Sequence, residues 1–436
     1  MSDNLNNNNK KNYDNTHNSE SINLENSNFL PDLDTINHES FTFKSTSPSL
    51  ITKFFKELLE ELYILLLDMD ISSEIYLLDE LIANYLVDYD LDPKNVLEIM
   101  INSSQNIICY SSLIGYFYQR GIGCEVNEAN AFEIFFNAIK YDQKVESDQF
   151  SFDEDIPDDI KKLNKIILQY FYSLLLYKDI ILIRSVEYKL HIKNAEKGDP
   201  TSQYYIGNCY YNGTNIQDYN MASEWYSKSS EGGNTRAMYM LGECKYGVDN
   251  KKSFEFYLKS AEGGHKYALS MVGNCYYYGE IGILKDAVKA FEFYLRAAKK
   301  GNACCQYLVA NYYNDGKYFP KNIEKWFYWN RKAAMHGHIT AQYKLADYYL
   351  NNSSNKNESK SFKWYLKLAN EDRLRAFYLV AKCYRDGIGT DKNLMESIKW
   401  IEKYILSDSY GKIQISLVGF LNGSDINVSQ VPEFLF

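Results

Sequence analysis

A unit of 31 to 37 residues recurs along most of this chain, and a chain that repeats itself at that period has few folds open to it. Each unit reads as two short helices and a glycine turn. The pattern is plainest from Thr201 to Asn234, TSQYYIGNCYYNGTNIQDYNMASEWYSKSSEGGN. It returns from Thr235 to His265, Lys266 to Asn302, Ala303 to His338, Ile339 to Asp372, and Arg373 to about Ser407. A single helical pair of this length cannot bury its apolar face. Stacked pairs can, and they form a quasi-one-dimensional array that absorbs all 436 residues without separate domains. The expected fold is all-α: a right-handed α-solenoid with a helical N-terminal cap.

The register follows from arithmetic. The central residues of the first helices, Gly207, Gly242, Gly273, Ala310, Ala346 and Ala381, are spaced 35, 31, 37, 36 and 35 apart. The small residues near the ends of the preceding second helices, Ala195, Ser230, Ala261, Ala298, Ala334 and Ala369, give the same series. The segment of fixed length is therefore the pair that meets across a repeat boundary, and length varies in the turn inside each repeat. Five positions before the centre stand Ser202, Ala237, Ala268, Cys305, Ala341 and Ala376, all small. One before it stand Ile206, Leu241, Val272, Val309, Leu345 and Val380, all aliphatic. Three after it, five of six are tyrosine: Tyr210, Tyr276, Tyr313, Tyr349 and Tyr384. These offsets share one helical face, the expected core. In the second helix Trp225, Phe256, Phe293, Trp329, Trp364 and Trp400 form an aromatic column, expected to bury the most area, with Tyr226, Tyr257, Tyr294 and Tyr365 beside it.

Outside the array the chain changes character. Residues 1–48 hold twelve asparagines and few aliphatic residues, a disordered tail by composition. Residues 50–104 are helical but do not fit the repeat, and are expected to cap the first unit. Asp88, Asp90 and Asp92 alternate as in a calcium loop, yet Pro93 stands where glycine is needed and Ile99 where glutamate is needed. They read as a solvated turn plus a helix cap. The array proper spans 105–425, with an acidic insert at about 143–162, a degenerate unit at 163–199 that lacks the glycine turn, and a tail at 426–436.

The repeat resembles the Sel1-like family, a relative of tetratricopeptide arrays. Its signature, A-x-x-x-L-G-x-x-Y-x-x-G followed by D-x-x-x-A-x-x-W-Y-x-K-A-A-E-x-G, is carried by Ala237…Leu241-Gly242. It is carried again by Asp286…Ala290…Phe293-Tyr294…Ala297-Ala298…Gly301 and by Trp225-Tyr226…Glu231-Gly-Gly233. The unit from Thr235 is shortened, and Trp326 stands where its column is small. The resemblance implies a solenoid of helix-turn-helix repeats used as an adaptor in multiprotein complexes. It also implies, as an alternative, a regulatory subunit of a fungal-type signalling, chitin-synthase-activating or endoplasmic-reticulum-associated degradation complex. No kinase signature accompanies the repeats.

Several chemistries are disfavoured. A net charge of −10 opposes phosphate binding, so no nucleic-acid partner is expected. The most apolar stretch, Leu58 to Met69, is interrupted by Glu60, Glu61 and Asp68 and is too short to span a bilayer; with no signal-peptide core, a cytoplasmic protein is expected. Cys209, Cys244, Cys275 and Cys383 share one column, and packed helices stand roughly 10 Å apart, too far for the four to ligate one zinc. They read as structural, as do Cys304 and Cys305. His336-Gly-His338 reads as a helix-terminal turn. Gly121-Ile-Gly123, Gly279-Glu-Ile-Gly282 and Gly387-Ile-Gly389 follow helices rather than strands and read as turn glycines, not phosphate loops. No nucleophile–base set appears, so neither an enzyme nor a cofactor is expected, and a metal- or cofactor-dependent enzyme is the disfavoured alternative.

The remaining candidate surface is the off-core face of the first helices. Three before each centre stand Tyr204, Tyr239, Tyr307, Tyr343 and Tyr378; one after stand Asn208, Glu243, Asn274, Asn311, Asp347 and Lys382; four after stand Tyr211, Tyr246 and Tyr277. In related solenoids the first helices line the concave surface, so this stripe is the expected site for a protein or peptide partner. Tyrosine is a frequent interface hot-spot residue. For the residues at −3, packing between neighbouring helices is the preferred reading; for those at +1, exposure is.

Overall fold

The computed structural model describes residues 48–67, 75–102, 104–145, 157–182, 191–213, 217–280, 282–407 and 417–423. The expected tail up to residue 47, the acidic run at 146–156 and the expected C-terminal tail lie outside the described residues. Within them the chain is helical and holds no strand.

The N-terminal part comprises α1 (Pro48–Leu66), α2 (Tyr76–Tyr89), α3 (Pro93–Ile101), α4 (Ser104–Cys109), α5 (Ser111–Arg120), α6 (Glu128–Val145) and α7 (Asp158–Leu182). A short helix, α8, occupies 191–196. Six pairs follow: α9 (Pro200–Asn212) with α10 (Tyr219–Glu231), α11 (Thr235–Lys245) with α12 (Asn250–Glu262), and α13 (Lys266–Tyr278) with α14 (Ala287–Lys299). Then come α15 (Ala303–Asp315) with α16 (Ile323–Met335), α17 (Ile339–Asn351) with α18 (Glu358–Asn370), and α19 (Leu374–Asp386) with α20 (Leu394–Leu406). A last turn of helix, α21, spans Leu417–Leu421.

Short helices need their free amide groups satisfied, and here the sequence supplies side-chain caps. Asp199, Asp218, Asn234, Asp249, Asp286, Asn302, Asn322, His338, Asn357 and Asn393 each accept from a backbone N–H in the first turn of the helix they precede. Three residues always separate a second helix from the next first helix, whereas the turn inside a repeat runs from four residues (246–249) to eight (279–286). The fixed junction has a backbone reason. Its αL position is filled by Gly233, Gly264, Gly301, Gly337 and, with φ 57°, Asp372. A side chain spans it as well: Gln203, Gln306 and Gln342 each donate to the carbonyl of the small residue eight positions earlier, at 3.1, 3.0 and 3.2 Å.

The small and aliphatic columns of the first helices are buried in every one of the six pairs. The deepest rings differ from the expectation. Tyr226, Tyr257, Tyr294 and Tyr365 are each at most 2% exposed. Of the neighbouring column only Trp329 and Trp364 are buried, while Trp225, Phe256, Phe293 and Trp400 are half-buried. The reason is a seat in the partner helix. A Cβ on Gly207, Gly242 or Gly273 would lie 2.6, 2.5 or 2.6 Å from the ring of Tyr226, Tyr257 or Tyr294, so glycine lets the tyrosine enter.

α3 and α4 lie on α5, the first helix of the first unit, and α1 lies on α7. The N-terminal helices also do more than cover that unit. α2 packs against α16 and α18, far along the array. Ile64 sits over Gly301 and Glu80 over Gly337, so α1 and α2 follow the junction turns on the second-helix side. In the degenerate unit α7 runs to Leu182 as one helix of 25 residues.

Candidate functional site

The stripe read from the sequence divides when its side chains are placed. At −3, Tyr343 and Tyr378 are 2% and 1% exposed, so neither ring offers a surface to a partner. Tyr378 packs on Tyr404 and Phe420, and the guanidinium of Arg375 lies 4.8 Å from the centroid of the Tyr343 ring. Tyr204, Tyr239 and Tyr307 are half-buried. Tyr204 and Tyr239 lean on Tyr226 and Tyr257, with centroids 5.9 and 5.7 Å apart, and Tyr307 stacks on His338 at 4.3 Å. At +4, Tyr211 and Tyr277 are half-buried and Tyr246 is 50% exposed.

The residues at +1 are not simply exposed. Asn208, Glu243, Asn274 and Asp347 are half-buried, and each accepts the hydroxyl proton of the tyrosine across the pair. The distances are 2.8 Å for Tyr226–Asn208, 2.7 Å for Tyr257–Glu243, 2.8 Å for Tyr294–Asn274 and 2.5 Å for Tyr365–Asp347. Where the second helix carries Asn330 or Ile401 in that column, the pairing is absent. Asn311 instead accepts from the Lys344 ammonium at 3.0 Å, and Lys382 stands at the sixth +1 position. An acceptor at +1 thus serves folding first, with its outer edge left to the surface.

What remains open is a band of half-exposed tyrosines and amides on α9, α11, α13 and α15, continued by Lys344, Asp347, Arg375 and Lys382 on α17 and α19. It can offer flat aromatic contact, amide hydrogen bonds and, at one end, positive charge.

The other candidates resolve into structural roles. Burial pushes the thiols of Cys275, Cys305 and Cys383 up to about 11, 12 and 12, so they are protonated and poor nucleophiles near neutral pH. Cys209 and Cys244 are half-buried in the same column as Cys275. Among the described residues no group of three or more His, Cys, Asp or Glu is arranged to hold a metal. His338 caps α17, its Nδ1 accepting from the Ala341 amide at 3.2 Å, and burial lowers its pKa. His336 ends α16 and places Nε2 3.2 Å from Glu61. Gly121, Gly123, Gly279, Gly282, Gly387 and Gly389 all have φ near +70°, as turn glycines do.

One cluster has no counterpart in the sequence reading. Asp88, expected in a solvated turn, is buried. Its Oδ2 meets Nε of Arg331 at 2.6 Å and its Oδ1 accepts from the Tyr349 hydroxyl at 2.8 Å. Arg331 also reaches Glu57 at 2.9 Å. Glu61 pairs with Lys332 and His336, Asp90 with Lys363, and Asn84 donates to the Met335 carbonyl at 2.8 Å. These groups join α1 and α2 to α16, α17 and α18 beside a cleft of about 700 Å³. Of the three aspartates Asp92 is a side-chain cap, accepting from the amides of Lys94 and Asn95, and Asp90 ends α2 in the left-handed region with φ 59°. The partners lie more than 240 residues apart, and no local pattern marks them.

A family model described as Sel1 repeat matches residues 112–140, 200–234, 235–265, 266–302, 305–338, 339–372 and 375–403. Among solved structures, a protective antigen of uropathogenic Escherichia coli strains with an SLR fold is 20% identical over 71% of this chain and 79% of its own, at a TM-score of 0.36. A Sel1 repeat protein from Oxalobacter formigenes is 19% identical over 67% of this chain and 99% of its own, at a TM-score of 0.37. A comparison with curated proteins gives no match.

Proposed function

Because the chain belongs to the Sel1 repeat family, we propose that it is a non-enzymatic adaptor that binds a protein or peptide partner on the concave, first-helix face of its array. Arrays of this family typically mediate protein–protein interaction. The observation that carries the choice of face is a division of labour between the two sides. The second helices α16 and α18 are already packed against α2, and α16 is tied to α2 and α1 by the Asp88–Arg331 and Glu61–Lys332 ion pairs. The first helices keep Tyr204, Tyr211, Tyr239, Tyr277 and Tyr307 half-open and Tyr246 open. Rings held by their own packing lose little entropy on binding, which favours tyrosine as a recognition surface. Among the described residues no helix is long and apolar enough to cross a membrane, so the array is not itself read as a span.

The test is quantitative capture of partners by the full chain and by a variant carrying Tyr211→Ala, Tyr246→Ala and Tyr277→Ala. These residues are half-buried or exposed, so the array should keep its helical signal. Loss of capture supports the reading, with roughly tenfold expected per hot-spot residue removed. Capture unchanged in the variant would overturn it.

A further inference from the structure

We propose that the cleft between α1, α2, α16 and the start of α18 binds a small organic anion, a carboxylate or phosphate on an apolar body, and that Lys360 is the residue that meets its charge. The inference is independent of the proposed use of the first-helix face, since α1 and α2 lie against the second helices.

A repeated lysine is the first observation. Lys252, Lys289, Lys325 and Lys360 are each the third residue of their second helix, α12, α14, α16 and α18. Three of them lie over a tyrosine of the paired first helix: Lys289 over Tyr276, Lys325 over Tyr313 and Lys360 over Tyr349, at 5.4, 5.1 and 5.3 Å from the ring centroids. Lys252, Lys289 and Lys325 are exposed, as lysines usually are. Lys360, alone of the four, is half-buried, and it lines the cleft that α1 and α2 close over this end of the array.

Its missing counter-charge is the second. Lys252 and Lys289 pair with the aspartates that cap their helices, Asp249 at 3.2 Å and Asp286 at 4.0 Å. The cap of α18 is Asn357, which accepts from the Lys360 amide at 3.0 Å and brings no charge. The other cations of the cleft are matched: Lys53 and Arg331 by Glu57, Arg331 also by Asp88, Lys332 by Glu61 and Lys356 by Glu358. Lys360 has no ion pair among the described residues. Burial lowers its pKa, and the charges that act on it come in opposed signs, Asp88 and Asp90 against Arg331 and Lys53. It also stands in the first turn of its helix, where the macrodipole disfavours a cation. An incoming anion relieves these costs together, through charge-assisted hydrogen bonds about twice as strong as neutral ones.

Room is the third. A cleft of about 700 Å³ suits a small molecule, and Phe327 and Tyr328, the latter 51% exposed, give it apolar lining. Of the carboxylates that line it, Glu57, Glu61 and Asp88 are engaged in ion pairs, and Glu60 is exposed on α1.

The experiment is saturation-transfer NMR of the full chain with three probes: benzoate, phenyl phosphate and neutral benzamide. At least one anion should bind about tenfold more tightly than benzamide, and more weakly as salt is raised. A preference for benzoate supports a carboxylate ligand, and one for phenyl phosphate supports a phosphate ligand. Lys360→Met should abolish the advantage of the anion. Lys325→Met, at the same position of α16 but exposed, should keep it. If Lys360→Met loses its helical signal, Asn357→Asp keeps the test open: it supplies the cap carboxylate that Lys289 already has, and should weaken the anion several-fold with the lysine in place. Three results would each overturn the inference: no preference for either anion over benzamide, equal losses in the Lys360 and Lys325 variants, or an advantage retained in both Lys360→Met and Asn357→Asp.

Discussion

The hydroxyl of Tyr226 donates to Oδ1 of Asn208 at 2.8 Å while the ring of the same tyrosine rests on Gly207. Two adjacent residues thus form one receptacle: the glycine admits the ring and the next side chain accepts its proton. The arrangement recurs with Gly242, Glu243 and Tyr257, and with Gly273, Asn274 and Tyr294. Tyr365 uses Asp347 with Ala346 in place of glycine. Where Asn330 and Ile401 replace the tyrosine, the seat is Ala310 and Ala381, and the next residue is released to other partners or to the surface. Asn311 is taken up by Lys344, and Lys382 is the only basic residue of the series. The face proposed to bind a partner is therefore built from the outer edges of residues that also hold each repeat together.

Gly207→Ala should destabilise the array. Its Cβ would meet the Tyr226 ring at 2.6 Å, and overpacking of this kind costs about 1–3 kcal/mol. Denaturant melts should show the loss, and adding Tyr226→Asn, the residue that faces alanine in the fourth pair, should recover part of it. A second substitution that only deepens the loss would show that the ring does not set the glycine.

Arg331→Gln should free the N-terminal helices from the array. The change leaves Asp88 buried with only the Tyr349 hydroxyl and leaves Glu57 with only Lys53, at 3.8 Å. Breaking one side of a buried pair costs about 3–5 kcal/mol. Hydrogen exchange should rise in α1, α2 and α16 and stay unchanged in α9 to α12. Uniform exchange across the chain would contradict a local clasp.

Acid should loosen the same contact. Burial alone would raise the Glu61 carboxyl, but His336 and Lys332 outweigh it and bring it down to about 2. A folded-state pKa below the ordinary value near 4.5 means the ion contributes stability above that value and loses it as pH falls toward about 2. Hydrogen exchange of α1 and α2 should therefore rise between about pH 4.5 and about 2. In Glu61→Gln the step should shrink, with the helices already looser at neutral pH. A step of undiminished size in that variant would assign the acid response to other groups.

The array was legible in the sequence because its signals are local and repeated. Two columns with one series of spacings placed the junctions, and the structure keeps three residues at each. The depth of Tyr226 and its counterparts was missed, because Trp225 beside it is the larger ring. In the first three pairs the glycine across the pair, Gly207, Gly242 or Gly273, admits the tyrosine ring. The role of Asn208 and its column was half-read for a related reason. Polar residues on a helix face look exposed until the hydroxyl that reaches them is placed. The clasp of Asp88 with Arg331 could not be read at all: it joins groups 243 residues apart, and neither is set in a pattern.

The most direct measurement on the central claim is site-resolved photocrosslinking with a reactive side chain placed, one at a time, at Tyr211, Tyr246 and Asn311 on the first helices and at Glu224, Glu255 and Glu292 on the second. The account predicts partner crosslinks from the first three positions and none from the last three. Crosslinks from α10, α12 and α14 with silence from α9, α11 and α15 would contradict it.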